Sequence, residues 1–306
     1  MRLGPALGLI AALLVASAPA RAACQRAELL GSFTWDLPRD GFGGFSGLEL
    51  SGDGQRMIAI TDRARVVFAT LQRQAGRITG VVPRRWARLR GQNGALLIGH
   101  IVDSEGLAIA PDDSLFISFE RVHRVSHYAT PTTASRGLHR AAGFRDMPRN
   151  GGFEALAIDA AGRLFALPED GQDAQGRIPL YRWQNGVWSQ PFDLIGDDRF
   201  LPVGADFGPD GRFYVLERGY NLFGFRSRVR SWRLSETGAR DERCELQTAT
   251  GTHDNLEGLA IWRDAGGRLR LTMIADDNFF FLQRTELVEY VLQDGQDGVA
   301  HSAVSR

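Results

Sequence analysis

The chain has 306 residues, of which 43% are hydrophobic and 24% are charged, a composition typical of a folded protein with a substantial core. Its 36 basic residues balance 36 acidic residues, so it lacks the positive excess expected of a protein that binds nucleic acid or an anionic membrane. The expected partner is therefore a small molecule, with no nucleic acid and no membrane, and the expected state is a monomer.

The chain begins with the pattern of a secretory signal peptide. Arg2 precedes the apolar run "ALGLIAALLVA", and the small residues "SAPARAA" that follow offer Ala-x-Ala cleavage sites. The apolar run is too short for an ordinary membrane-spanning helix. We therefore predict a signal peptide over residues 1–22, one mature domain over residues 23–306, and a periplasmic or secreted protein.

Five similar hairpins follow, in order "FSGLELSGDGQRMIAITDR", "SEGLAIAPDDSLFISFER", "FEALAIDAAGRLFALPED", "GADFGPDGRFYVLERG" and "LEGLAIWRDAGGRLRLTMIADD". Each has an apolar strand, a turn rich in Gly and Asp, and a second strand that ends in an acid. They begin about 50 residues apart, near Ser46, Glu105, Glu154, Ala205 and Glu257, and this is the period of a four-stranded propeller blade. The sequence thus predicts an all-β propeller of five blades, with six as the alternative.

The segments between the hairpins supply the outer strands, as in "RIPLYRWQNGVWSQPFDL" with its turn at Asn185-Gly186. Only "TELVEYVL" follows the fifth hairpin, so the last blade lacks one strand. The N-terminal segment "AELLGSFTWDL" can supply that strand and close the ring, which removes exposed sheet edges. Cys24 and Cys244 would then lie on outer strands of adjacent blades, which favours a disulfide over two separate thiols.

The hairpins also place acids at matching positions. In an antiparallel hairpin, the residue that opens the first strand lies beside the residue that ends the second. Because blades are arranged radially, such pairs should form a ring at the mouth of the central channel. The predicted pairs are Glu105 with Glu120, Glu154 with Glu169, Ser46 with Asp62, Asp206 with Glu217, and Glu257 with Asp276 or Asp277.

A ring of carboxylates requires compensation, because neighbouring negative charges raise one another's pKa. Calcium is the cation that this oxygen-rich set predicts, since it takes about six to eight oxygen ligands. Histidines near the ring are too few to suggest zinc. The alternative is that each glutamate only accepts backbone hydrogen bonds from the next blade. Further oxygen ligands lie nearby in the sequence: Asp103, Asn150, Asp254, Asn255 and Asn278.

Arginine directly follows three of these acids, as Arg63, Arg121 and Arg218. A guanidinium at the end of a strand can reach over the mouth and bind phosphate or carboxylate through two hydrogen bonds. The three arginines are therefore predicted to contact substrate. Salt bridges between adjacent blades are the alternative role.

Several stretches resemble one family, the phytase-like domain of exported bacterial proteins with esterase-like activity. They are "GGFSGLEL" with "AITDR", "SEGLAI", "FEALAID", "DGRFYVLERGY", and "HDNLEGLAIW" leading to "IADDNF", and they extend over roughly residues 40–290. The resemblance implies a β-propeller and calcium-assisted hydrolysis of a phosphate ester or a carboxylic ester.

The resemblance also implies roles for individual residues. Predicted metal ligands are three glutamates supported by four further acids: Glu105, Glu154 and Glu257, with Asp62, Glu120, Glu169 and Asp276. Residues predicted to act on a small anionic or ester substrate are Arg63, Arg121, Arg218 and His253. Propeller phytases are expected to place lysines beside phosphate, and this chain has no lysine, which argues against phytate as the substrate.

Two other functions fit the same architecture. A calcium-dependent lactonase would hold its ion with Glu, Asn and Asp, and would line its pocket with Phe45, Phe153, Phe279 and Phe280, unless these rings pack between blades. A non-catalytic propeller would use the mouth to bind a ligand or a protein. A serine hydrolase is disfavoured, because Ser46 in "GFSGL" does not complete a nucleophile elbow.

Overall fold

A computed structural model describes residue 24 and residues 26–140, 142–145, 147–148, 151–197 and 199–293. The predicted signal peptide lies outside these residues. The described chain forms twenty β-strands and two short 3-10 helices, Gly99–Ile101 and Ala142–Arg145. No helix in the described part of the chain is long and apolar enough to cross a membrane.

The strands form five four-stranded antiparallel sheets, which confirms the predicted five blades. In chain order, β1 (Ala27–Thr34) comes first. Blade one contains β2 (Phe45–Leu50), β3 (Arg56–Thr61), β4 (Arg65–Gln74) and β5 (Arg77–Arg88). Blade two contains β6 (Ser104–Ile109), β7 (Leu115–Phe119), β8 (Arg124–Tyr128) and β9 (Arg136–Gly137).

The remaining blades follow the same order along the chain. Blade three contains β10 (Phe153–Ile158), β11 (Leu164–Pro168), β12 (Arg177–Gln184) and β13 (Val187–Ile195). Blade four contains β14 (Leu201–Phe207), β15 (Phe213–Asn221), β16 (Gly224–Leu234) and β17 (Ala239–Gln247). Blade five contains β18 (Asn255–Arg263), β19 (Leu269–Asp276) and β20 (Glu286–Leu292), completed by β1.

The ring closes through the N-terminal strand, as predicted. Strand β1 pairs with β20 in antiparallel register from Ala27 opposite Leu292 to Thr34 opposite Glu286. The predicted disulfide is also present, because Cys24, just before β1, is bonded to Cys244 on β17 with a Cα–Cα distance of 4.8 Å. The bond therefore links the last blade to the outer strand of the blade before it.

Local sequence explains the tight connections within blades. At the predicted turn between β12 and β13, Asn185 and Gly186 both have positive φ angles, 51° and 82°. A two-residue hairpin turn of this kind needs positive φ at both positions, which Asn and Gly tolerate best. The Asn-Gly signal was therefore sufficient to locate this turn from the sequence.

Hydrophobic clusters lie between neighbouring blades, one for each pair of neighbours within the described residues. Phe45 and Phe153 are completely buried in two of these clusters, so both rings serve packing rather than lining the mouth. Phe279 and Phe280 are exposed on the loop after β19. The aromatic pocket expected of a lactonase is therefore not formed by these four rings together.

Candidate metal centre and substrate pocket

Every innermost strand carries an irregularity in its pairing at the same place. The register with the second strand shifts at Ser46, Glu105, Glu154, Val203 and Glu257, in blades one to five. A β-bulge of this kind re-aims a side chain that regular alternation would send to a sheet face. The bulge explains why three glutamates in different blades approach one another near the axis.

The residue after this position is glycine in four blades, Gly47, Gly106, Gly204 and Gly258. A Cβ atom on Gly106 would lie 2.7 Å from the Glu154 carbonyl oxygen and 2.7 Å from Leu156 Cβ in the next blade. The glycines therefore allow the inner strands of adjacent blades to approach closely, which brings the glutamates within reach of one another.

A second set of mouth residues lies at or just after the end of the second strand in four blades, and within the second strand in blade four. The Asp62 backbone N–H bonds the Gly44 carbonyl at 2.8 Å, and Glu120 and Glu169 make the equivalent bonds to Asp103 and Gly152 at 2.9 Å. In blade five, Asp276 lies opposite Asn255. In blade four, Arg218 lies opposite Leu201 at the same level. The complete set is Asp62, Glu120, Glu169, Arg218 and Asp276.

Blade four therefore corrects one of the predicted pairs. Glu217, expected at the mouth, lies one residue too early and is fully buried, where Arg228 Nε at 2.6 Å and Arg230 Nε at 2.9 Å bond its carboxylate. Asp206, expected to be its partner, lies further along β14 opposite Tyr214 and accepts a hydrogen bond from the Ile261 N–H at 2.6 Å. The position equivalent to Glu105 is occupied by Val203.

Arg218 joins the ring that acids form in the other four blades. Its guanidinium donates to Asn255 Oδ1 at 2.8 Å and to Glu257 Oε1 at 2.5 Å, and it also bonds Glu169. Asn255 donates from Nδ2 to the same Glu257 oxygen at 2.7 Å. These contacts connect blades three, four and five. Arg218 therefore forms salt bridges between adjacent blades, which was the alternative role predicted for it.

Two groups of three carboxylates have the spacing needed to hold a metal ion. Asp103, Glu105 and Glu120 form one group, and Glu120, Glu154 and Glu169 form the other, with oxygen atoms within 4.8 Å of one another in each. Glu120 belongs to both groups, and its Oε1 also accepts hydrogen bonds from the backbone of Gly151 and Gly152. Asp103, predicted from the sequence only as a nearby oxygen ligand, belongs to one of these groups.

The mouth is electrostatically unfavourable without a counter-charge. Burial raises the pKa of Glu105 well above its usual range, and the charges of Glu257, Asp103, Glu120 and Asp62 raise it further. Burial also raises the pKa of Glu154 and of Glu257, even though Arg218 opposes this shift in both.

Two aspartates at the mouth show the same effect. Burial, followed by the charge of Glu257, raises the pKa of Asp276 to about 9. Burial raises the pKa of Asp62 to about 7, although Arg63 opposes the shift, and Asp62 Oδ1 is buried without a hydrogen-bond partner among the described residues. An all-oxygen donor set with an unpartnered buried carboxylate oxygen fits a hard divalent cation.

The other predicted substrate residues occupy different surroundings. The Arg63 guanidinium lies over the Phe279 ring, 3.4 Å from its centroid. Arg121 is half exposed and bonds Asp103 at 2.6 Å within its own blade. His253 is buried, and its Nε2 lies 2.6 Å from the Tyr290 hydroxyl while its Nδ1 lies 3.8 Å from Glu286.

A cavity of about 740 Å³ opens beside Arg218, and we call it the Arg226 pocket. Its lining includes three arginines and two aromatic rings, and of these only Arg218 was predicted from the sequence as a site residue. The segment "RGYNLFGFR" is the sequence signal for one wall of this pocket, because it is long enough to form a hairpin that extends beyond the ring. The pocket is lined by Arg199, Leu201, Arg218, Tyr220, Phe225, Arg226, Asn255 and Asn278.

The fold and the site define a class of protein, a five-bladed β-propeller whose mouth carries an acidic ring with metal-ligand spacing. A family model, phytase-like with the description "esterase-like activity of phytase", matches residues 40–279. The chain belongs to this phytase-like family, which confirms the resemblance seen in the sequence. No curated protein matches the chain.

Solved structures share the fold at low sequence identity. The catalytic domain of a GH62 α-L-arabinofuranosidase from Coprinopsis cinerea is 13% identical with a TM-score of 0.53, covering 88% of this chain and 97% of its own. An α-L-arabinofuranosidase from Podospora anserina, in complex with cellotriose, is 12% identical with a TM-score of 0.51, covering 84% and 94%. These similarities show the architecture alone.

Proposed function

We propose that the protein is an exported, calcium-dependent hydrolase of phosphate or carboxylic esters that acts at the propeller mouth. One observation carries the proposal: two carboxylate groups that share Glu120 lie at the mouth, and the ring residue Arg218 also lines the Arg226 pocket. A cation site beside an arginine-lined cavity is the arrangement that an anionic ester would require.

Calcium is proposed because the donor set consists of carboxylate and amide oxygens. The ligands would come from the two groups, Asp103, Glu105 and Glu120 with Glu154 and Glu169, while Asp62 and Asp276 would supply further oxygens. Glu257 would orient Arg218, to which it is bonded at 2.5 Å. When bound, a divalent cation would polarise the ester and make a bound water more acidic.

The chain's own residues would position the substrate. Arg218 is held by Glu169, Glu257 and Asn255, so its guanidinium is fixed before substrate arrives. A fixed positive charge stabilises the negative charge that develops as the ester oxygen leaves. A ring carboxylate would accept the proton of the attacking water.

The remaining predicted residues receive roles that match their locations. Arg63 and Arg121 lie on the rim, where they would contact the outer part of the substrate. His253 bonds Tyr290, and the neighbouring Asp254 N–H bonds Glu286 at 2.9 Å, so His253 would position the segment that leads to Asn255. Burial lowers the pKa of His253, which keeps its ring neutral at neutral pH.

Export is proposed on two independent grounds. The N-terminal sequence has the basic, apolar and small-residue regions of a signal peptide. Cys24 and Cys244 are joined in a disulfide, and such bonds persist in oxidising compartments such as the periplasm or the extracellular space.

Calorimetric titration of the mature protein with calcium tests the proposal. Glu120→Gln removes a carboxylate that both groups share, so calcium binding should weaken by about a hundredfold or more. Glu28→Gln is the matched control, because Glu28 is exposed on β1, the outermost strand of blade five. Hydrolysis of 4-nitrophenyl phosphate and 4-nitrophenyl acetate should depend on calcium and be lost in Glu120→Gln but not in Glu28→Gln.

Two results would count against the proposal. If the folded wild type binds no divalent cation, the ring is structural and the propeller becomes a binding protein. If calcium binds but neither ester class is hydrolysed, the metal supports the fold or ligand binding rather than catalysis.

A further inference from the structure

Blade four departs from the other blades at the mouth. In blades one to three the second strand ends before the mouth residue, whereas β15 continues past Arg218 through Gly219 and Tyr220 to Asn221. Pairing with β16 is maintained to the tip, where Asn221 lies opposite Gly224. The hairpin therefore rises above the ring and forms one wall of the Arg226 pocket.

The hairpin wall is apolar and exposed. Tyr220 lies opposite Phe225 in the register, their ring centroids are 5.3 Å apart, and Tyr220 is 70% exposed. At the tip, Leu222 and Phe223 are 94% and 87% exposed. The rings of Tyr220 and Phe225 line the cavity and offer a surface on which a flat apolar group can stack.

The floor of the same pocket carries a positive charge without a counter-charge. Arg199 pairs with Asp197, and Arg218 is committed to Glu169 and Glu257. Arg226 makes no ion pair with any described residue. Its guanidinium lies 4.6 Å from the Phe200 ring centroid, and one N–H only approaches the Arg199 carbonyl at 3.5 Å.

The fold reserves space for this arginine. Gly219 lies opposite Arg226 in the hairpin, and a Cβ atom on Gly219 would lie 2.7 Å from Arg226 Nε. The Nε atom is buried without a hydrogen-bond partner among the described residues. A half-buried guanidinium with unused donors is suited to binding an anion.

We propose that the Arg226 pocket is a specificity subsite for substrates in which a flat apolar group, such as an aromatic ring, carries the anionic group. The anion binds Arg226, and the ring stacks on Tyr220 and Phe225. The proposal rests on the proposed hydrolase function, since it names the substrate class of that site. An aryl phosphate, or a carboxylic ester whose aryl group carries a carboxylate, has this chemistry.

Binding of phosphonates, which are not hydrolysed, tests the subsite separately from catalysis. The folded mature protein would be titrated by calorimetry with phenylphosphonate and with methylphosphonate, in calcium and in EDTA. Phenylphosphonate should bind about tenfold more tightly than methylphosphonate, because stacking adds to the charge contact. This preference should persist in EDTA, because Arg226 does not belong to the carboxylate groups of the ring.

Variants separate the two parts of the subsite. Tyr220→Ala should reduce the preference to within about twofold while methylphosphonate binding is unchanged, since only stacking is lost. Arg226→Gln should weaken both ligands by about tenfold or more, and Arg226→Lys should retain part of the binding. Arg77→Gln, an exposed arginine on the outer strand of blade one, should change neither ligand.

Three outcomes would overturn the subsite. They are equal binding of the two phosphonates by the wild type, binding that requires calcium, and a preference that survives Tyr220→Ala. If the wild type hydrolyses neither ester but still prefers phenylphosphonate, the hydrolase function fails while the pocket remains a binding site. Failure of the subsite and failure of the hydrolase function are therefore distinguishable. Tyr220 is mostly exposed, so its truncation is not expected to prevent folding.

Discussion

At the scale of the residue, a shift of one position decides whether an acid is structural or belongs to the mouth. Glu217 is completely buried between Arg228 and Arg230, while the next residue, Arg218, occupies the mouth position. Glu105 lies at a bulge among other carboxylates, and burial, followed by repulsion from these neighbours, raises its pKa. The two glutamates are chemically identical but respond to opposite local charges.

The two glutamates should therefore respond in opposite ways to neutralisation. In EDTA at neutral pH, Glu105→Gln should raise the free energy of unfolding by about 1 kcal/mol or more, because the variant lacks a carboxyl group whose ionisation is opposed in the folded state by burial and by the neighbouring charges. Glu217→Gln should lower it by about 3 kcal/mol, because two buried guanidinium groups lose the one fully buried carboxylate that they share. Urea denaturation measures both effects, and shifts of the same sign would contradict this reading of the site.

On the innermost strand of blade four, Asp206 makes stability depend on pH. Burial raises the pKa of Asp206 to about 7, and burial together with the Asp206 charge raises the pKa of Glu49. In the unfolded chain an aspartate ionises near pH 4, so between about pH 4 and about pH 7 the folded state binds the additional proton. Asp206 therefore makes the wild type less stable as the pH rises through this window.

Asp206→Asn should remove this dependence and keep an oxygen that can accept the Ile261 N–H. Relative to the wild type, the variant should gain up to about 1.4 kcal/mol per pH unit through the window and then level off. Urea denaturation at several pH values, with calcium present, measures the difference. A difference that is constant with pH would show that Asp206 is already ionised at low pH, and Glu49→Gln tests its neighbour in the same way.

At the scale of the element, the repeated small residue after each bulge controls how closely inner strands approach. The sequence "EGLAI" or its equivalent recurs because a side chain at Gly106 would collide with the Glu154 carbonyl of the next blade. Blade three uses Ala155 at this position, so a single methyl group is accommodated there. The motif is therefore a packing device that also aligns the glutamates.

Gly106→Ala should lower the free energy of unfolding by about 1–3 kcal/mol, because the added methyl group overpacks an inter-blade contact. It should also weaken calcium binding, since Glu105 and Glu154 are displaced relative to each other. Gly52→Ala is the matched control, because nothing lies within 4 Å of a Cβ atom there and its φ is not positive. Equal stability of the two variants by urea denaturation would show that the inner strands can separate without cost.

The sequence was informative about elements and less so about register. The hairpin repeats predicted five blades, and the missing strand predicted closure by β1. The predicted mouth pair of blade four, Asp206 with Glu217, was wrong because acids were matched by residue type rather than by their distance from the turn. Counted from the first residue after each turn, Glu120, Glu169 and Arg218 are each five residues on, after Leu115, Leu164 and Phe213. The unpaired charge of Arg226 depends on three-dimensional packing and leaves no such signal.

At the scale of the whole molecule, the mouth exists only because the ring is closed. Its carboxylates come from blades one, two, three and five, and Arg218 comes from blade four. Closure depends on β1, which supplies the outer strand of blade five and precedes the rest of the propeller in the chain. Separating β1 from β20 would expose a sheet edge without removing any residue of the mouth.

The disulfide should therefore contribute to stability far more than to the site. Replacing Cys24 and Cys244 together by Ser should lower the free energy of unfolding by about 2–5 kcal/mol, because the bond closes a loop that spans most of the described chain. Calcium affinity should change by less than about twofold as long as the β1–β20 register holds the ring closed. Urea denaturation of the wild type with and without reductant is the control, since reductant should reproduce the loss in the wild type and have no effect on the double variant. If reductant leaves the wild type unchanged, β1 is held by its strand pairing alone, and the link between the last two blades carries none of the closure.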